Sequence, residues 1–146
     1  YPDGPIIDES GNLLGTHHGA VRYTTGQRKG LGIAATNPLY VIGKDMESNT
    51  VFAGPESSLY DDTLCANDMN WISIEPPTEP FRVKAKTRYR QIEQWATVFP
   101  DRSDRIKLVF DEPQRAITIG QAVVLYDDDI VVGGGTIIDV FDTQDR

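Results

Sequence analysis

The chain has 146 residues, 39% hydrophobic and 25% charged, a size that suits one ordinary domain or two small ones. No apolar run approaches the roughly 20 residues that span a bilayer, and no basic-then-apolar leader opens the chain. The net charge of −8 excludes a uniformly basic nucleic-acid binder, and the single cysteine, Cys65, excludes an internal disulfide.

Helical periodicity is nearly absent. Short β-rich runs recur in order at Leu39 to Ile42, Thr50 to Phe52, Phe81 to Tyr89, Ala96 to Phe99, Arg105 to Phe110, Ala122 to Tyr126, Ile130 to Val132 and Thr136 to Val140. Turn signals separate them: Asp3-Gly4, Ser10-Gly11-Asn12, Ser48-Asn49, Pro100-Asp101, an acidic tip at Asp127 to Asp129, and Gly133-Gly134-Gly135, which suits a tight hairpin or a bulge. One short helix is expected around Ser57 to Asp61. Many short strands without intervening helices predict an all-β sandwich or barrel. The prolines at 76, 77 and 80 mark the expected boundary, with a small β domain over 1–76 and a compact β-barrel over 77–146. Because the sequence opens on Tyr1 rather than Met, it is expected to be a piece of a longer protein.

The charges are uneven. Residues 10 to 44 and 80 to 92 contain no acid, yet together they hold nine of the fourteen cations. In the second window Arg82, Lys84, Lys86, Arg88 and Arg90 occupy every second position. On a strand such residues share one face, leaving Val83, Ala85, Thr87 and Tyr89 on the other. A polyanion across that face relieves the repulsion of five like charges. The plainer alternative is an edge strand protected from aggregation by its charges.

Other motifs are less specific. Gln27, Arg28 and Lys29 lie in a glycine-rich loop, "TGQRKGLG", whose backbone and cations suit phosphate, although it is neither a Walker loop nor a dinucleotide fingerprint. His17 and His18 are adjacent, so on extended chain they point apart, and no third histidine or CxxC completes a metal site. Cys65 has only these two histidines in the sequence to serve it as a base and reads as a small core residue. No catalytic set and no metal site is expected in this chain.

The segment "GTHHGAVRYTTGQRKGLG" (15–32) resembles the signature of the tRNA-specific 2-thiouridylases. "PLYVIGKDMESNTV" (38–51), "LCANDMNWI" (64–72), "VKAKTRYRQ" (83–91) and "FDEPQRAITIGQAVVLYDDDIVVGGGTI" (110–137) continue the resemblance in order. It implies a central β domain followed by a C-terminal barrel similar to an elongation-factor barrel. It also implies a function as the tRNA-binding part of a transferase that thiolates the wobble uridine at C2. In that family ATP is bound by an N-terminal PP-loop domain, and a sulfur-relay protein or cysteine desulfurase supplies persulfide sulfur. Cys65 matches neither catalytic cysteine, so the piece alone is expected to be inactive. Arg88 and Tyr89 match tRNA-contacting positions, as does Gln121. Ile119 departs from the pattern by standing where the family has proline. The cytoplasm is the expected location, with tRNA as partner and no membrane. Two other classes are a small-molecule β-barrel, which predicts an aromatic-lined pocket, and a protein-interaction module of a translation factor, which predicts an exposed apolar patch.

Overall fold

A computed structural model describes residues 2–33, 37–102 and 104–143. The fold is all-β, in two compact units, Tyr1–Tyr60 and Asp61–Arg146.

The first unit is a four-stranded sheet built from β1 (Gly4–Ile7), β2 (Leu13–His17), β3 (Tyr40–Asp45) and β4 (Thr50–Gly54), in the order β2-β1-β4-β3. β1 runs antiparallel to β2 and parallel to β4, and β3 runs antiparallel to β4. Ile6, Val41, Val51 and Ala53 are fully buried against Ala20, Tyr23 and Leu31. His17 is part of this core. Its Nδ1 accepts from the Gly19 N–H (2.9 Å) and its Nε2 meets the Asn49 carbonyl at 2.6 Å. A backbone N–H only donates and a carbonyl only accepts, so the proton sits on Nε2. The Tyr23 ring packs edge-on at 5.5 Å. His18 points outward beside Asp3.

A 3₁₀ turn at Glu56–Leu59 stands where a short helix is expected, and buries Leu59. The second unit is a closed barrel of six strands. These are β5 (Tyr60–Trp71), β6 (Phe81–Lys86), β7 (Gln94–Arg102), β8 (Arg105–Arg115), β9 (Ala122–Asp127) and β10 (Ile130–Phe141), in the order β10-β5-β8-β7-β6-β9. Leu64, Ala85, Ala96, Val98, Leu108, Val123, Leu125 and Ile137 are fully buried inside it. Asp62 holds the residues just after β10 by accepting from Thr143 N–H (2.9 Å) and Oγ1 (2.7 Å), and it also accepts from Thr63 Oγ1 (2.8 Å). Partial burial pushes the Asp62 carboxyl up, but these hydrogen bonds outweigh it and hold the group below the usual aspartate value.

Three expectations are corrected here. The boundary is not at 76/77, because β5 precedes the prolines and pairs with β10 inside the barrel; Pro76 and Pro77 lie in the connection from β5 to β6. The run from Phe81 ends as a strand at Lys86 rather than Tyr89, since the Thr87 N–H is taken by the Gln91 side chain instead of a neighbouring strand. Of its two expected forms the glycine triplet takes the bulge and not the hairpin. It continues through β10, joining two expected strands into one, and the register slips beside it on both flanks.

The triplet exists because neighbouring backbone comes too close for a side chain. A Cβ at Gly133 would stand 2.7 Å from Asn70 O, and one at Gly135 would stand 2.6 Å from Asn67 O. Gly133→Ala and Gly135→Ala are therefore expected to cost about 1–3 kcal/mol each by forcing backbone shifts. Gly43 on β3 faces open space, so Gly43→Ala is the matched control. Urea unfolding should show lower midpoints for the two barrel variants and no loss for the control.

Candidate RNA-binding surface

β6 pairs with β7 on one side and β9 on the other, so it is not an edge strand, and edge protection does not explain its charges. Val83 and Ala85 point into the core; Arg82, Lys84 and Lys86 point outward. The register places Trp95 and Tyr126 on either side of Lys84, and Thr97 beside Arg82. Lys84 Nζ lies 5.1 Å from the Trp95 ring centroid, and Arg82 Cζ lies 5.4 Å from the same ring. Lys86 Nζ lies 5.2 Å from the Tyr126 ring. Next door, Lys107 on β8 sits 5.3 Å from Phe99 on β7.

Arg82 differs from its neighbours. Its guanidinium donates two bonds of 2.6 Å to the Asp111 carboxylate and a third, of 3.0 Å, to Thr97 Oγ1. Of the five cations from Arg82 to Arg90, it alone pairs with a carboxylate among the described residues. The bond from Arg82 holds the Asp111 carboxyl below its ordinary value, and Asp111 in turn raises Arg82.

Arg88, Tyr89 and Arg90 leave the strand and form an exposed turn, closed by Gln91 N–H donating to Arg88 O at 3.2 Å. Tyr89 is 92% exposed rather than facing the side opposite the cations, because the strand's alternation stops at Lys86. Arg88 Nη2 donates to Ala116 O (2.8 Å), which ties this turn to the loop carrying Gln121. Gln121 is exposed, and its carbonyl accepts from Ile137 N–H at 2.9 Å. The two loops also expose Ile92 and Ile119.

Gln27, Arg28 and Lys29 belong to the other unit. Gln27 Oε1 accepts from Thr24 N–H (3.1 Å), and Nε2 donates to Lys29 O (2.8 Å). Gly26 N–H and Gln27 O pair with Val41 at 2.7 and 2.8 Å. The Gln27 side chain is thus spent on its own loop, and Arg28 and Lys29 are left exposed.

Cys65 is half-buried on β5 and lines a shallow groove of about 320 Å³ with Phe99, Pro100, Asp101, Arg105, Ile106 and Lys107. The described residues contain no group of three or more His, Cys, Asp or Glu able to hold a metal, and no helix long and apolar enough to cross a membrane.

Residues 61–137 match the family model of the aminomethyltransferase β-barrel domain, and residues 2–55 match that of the tRNA methyl transferase PRC-barrel domain. Over 92% of its length the chain is 53% identical to the tRNA-specific 2-thiouridylase MnmA of Acetivibrio thermocellus. Its identity to the proteins of the same name from Halothermothrix orenii and Clostridioides difficile is 49% and 50%, over 94% and 92% of the chain. The chain belongs to the tRNA-specific 2-thiouridylase family. It spans only 37–38% of the length of these three 2-thiouridylases. The two matched segments fall on either side of the Tyr60/Asp61 division rather than the proline-rich stretch.

The Arg82–Asp111 pair yields a pH test. The folded carboxyl lies below the ordinary 3.8, so the pair's contribution is present above that value and is lost as pH falls through the folded value. Asp111→Asn should lower the melting temperature near neutral pH. The gap to wild type should close below pH 3.8, and a gap constant through that range would show that the pair contributes nothing.

Proposed function

We propose that this chain is the tRNA-gripping part of an enzyme that 2-thiolates the wobble uridine of tRNA. The observation that carries this is a row of outward cations on a barrel strand that has a partner strand on each side, in a chain about half identical to 2-thiouridylases. Lys84 and Lys86 meet the phosphate backbone, and Arg88, Tyr89, Arg90 and Gln121 extend the contact onto the joined loops. Arg82 contributes less, since Asp111 already neutralises it. A row of charge suits phosphates better than base edges, so this surface positions the tRNA and does not read its sequence.

On this reading the chemistry belongs to a PP-loop domain outside these residues. That domain binds ATP and activates the uridine, and a sulfur-relay protein or cysteine desulfurase delivers the persulfide. The reaction takes place in the cytoplasm. The side-chain packing inside the barrel argues against a small-molecule lumen, because Leu64, Leu108, Leu125 and Ile137 fill it.

The test is a titration of the chain with tRNA at several salt concentrations. Affinity should fall steeply with salt, and Lys86→Ala should shrink the log–log slope by about 1, equally for cognate and non-cognate tRNA. Arg82→Ala should change the slope less than Lys86→Ala. Wild-type affinity and slope in the Lys84, Lys86 and Arg90 variants would refute the reading. A second expectation is that the chain alone incorporates no labelled sulfur into tRNA when given ATP and a persulfide donor; incorporation would place the chemistry here after all.

A further inference from the structure

Behind the exposed turn at 88–90 runs a chain of hydrogen bonds that the binding surface itself does not use. Thr87 N–H and Oγ1 both donate to Gln91 Oε1, at 2.8 and 3.2 Å. Gln91 Nε2 donates to Gln114 Oε1 (2.9 Å), and Gln114 Nε2 donates to Glu112 O (2.8 Å). Its two ends fix its direction. The Thr87 N–H can only donate and the Glu112 carbonyl can only accept, so neither amide can be flipped without losing a bond. Gln114 is 7% exposed, which makes a broken link costly.

The relay crosses from the turn after β6 to the end of β8, and a second tie runs parallel to it. Arg88 Nη2 and Thr118 Oγ1 both donate to Ala116 O, at 2.8 and 3.0 Å. Ala116 has φ +56°, a backbone state that a non-glycine residue holds only when its surroundings enforce it. The loop then continues to Gln121, which is anchored on Ile137. The turn with Tyr89 and Arg90 and the loop with Gln121 are thus held as one platform by bonds made before any ligand arrives.

We infer that Gln91 and Gln114 are positioning residues for RNA, which preorganise this platform without touching the ligand. The inference rests on the tRNA reading above and adds to it the reason the loops grip well. Binding to loops already in place avoids the entropy of ordering them. Arg88 then serves two roles, bracing Ala116 with one nitrogen and leaving the rest of its fork exposed.

The isosteric change Gln91→Glu separates this from simple packing. A carboxylate at 91 still accepts from Thr87 but cannot donate to Gln114. If the Gln114 amide flips to compensate, its oxygen faces the Glu112 carbonyl. Gln114→Glu fails in the mirror sense, by losing the donor to Glu112. The measurement is a tRNA titration of the full chain, which yields the dissociation constant and the fraction of protein able to bind at saturation. The expected result for each variant is a dissociation constant raised about tenfold with the saturating fraction unchanged. A destabilised but unpositioned protein would do the reverse, losing saturating fraction at constant affinity, and that result overturns the inference. So does wild-type affinity in both variants. Tyr89→Ala and Arg90→Ala serve as references. If they weaken binding while the Gln variants do not, only the positioning role is lost. If all four bind like wild type, the tRNA reading of this end falls with it.

Discussion

Strand β6 is hydrogen-bonded along both edges, and that double pairing closes the barrel. Closure fixes which residues of the strand face inward. A slip of one residue would bring Arg82, Lys84 and Lys86 into the core and expel Val83 and Ala85, which no desolvation balance permits. Closure also fixes the neighbours. Lys84 meets Trp95 and Tyr126 because the ladders on either side are in register, and the register of β10 depends on glycines where β5 and β9 crowd it. The charged outer row and the apolar lining are two consequences of one set of backbone pairings.

The row is tolerated, but the free protein gains little from it. Cations two residues apart on a strand stand about 7 Å apart and repel by about 0.6 kcal/mol per neighbour at the dielectric of water. A cation over an exposed aromatic ring recovers about 0.5–1 kcal/mol. These are similar in size, so Trp95 and Tyr126 offset the repulsion without reversing it, and Arg82 is relieved separately by Asp111. What remains at Lys84 and Lys86 is positive potential at a rigid spacing. A flexible tail of lysines would offer the same charge, but ordering it would cost side-chain and backbone entropy on binding.

The all-β class and seven of the ten strands among the described residues were legible from β-rich runs bounded by turn residues, as was the inward–outward alternation from Arg82 to Lys86. β5 was not, and the wrong boundary follows from that. Its period of two breaks where Thr63 and Leu64 are both buried, and again at Asp68, which has φ +51° opposite the irregularity in β10. A bulged strand with polar residues outward presents no clean alternation. The end of β6 was invisible for another reason. Nothing in "KTRYRQ" announces that the Gln91 amide will capture the Thr87 N–H, since that depends on Gln114 arriving from β8. β1 and β2 are short, and Gly4 at the start of β1 reads as a turn.

The motifs hold residues that build the fold and residues left free to act. In "GTHHGAVRYTTGQRKGLG" the two most chemically suggestive polar side chains, His17 and Gln27, are each bonded at both ends to backbone. His17 lies within 2.7 Å of where a Cβ on Gly4 would sit, so the ring, the Asn49 turn and the start of β1 form one packed clasp. Gln27 does for the 24–29 loop what His17 does for the sheet end. A motif can therefore be specific because its residues replace missing backbone partners at turns, with no reaction at stake. What the loop leaves exposed is Arg28 and Lys29, held on a frame of fixed hydrogen bonds. The barrel repeats this division of labour, with Gln91 and Gln114 spent on support and Tyr89 and Arg90 exposed beyond them.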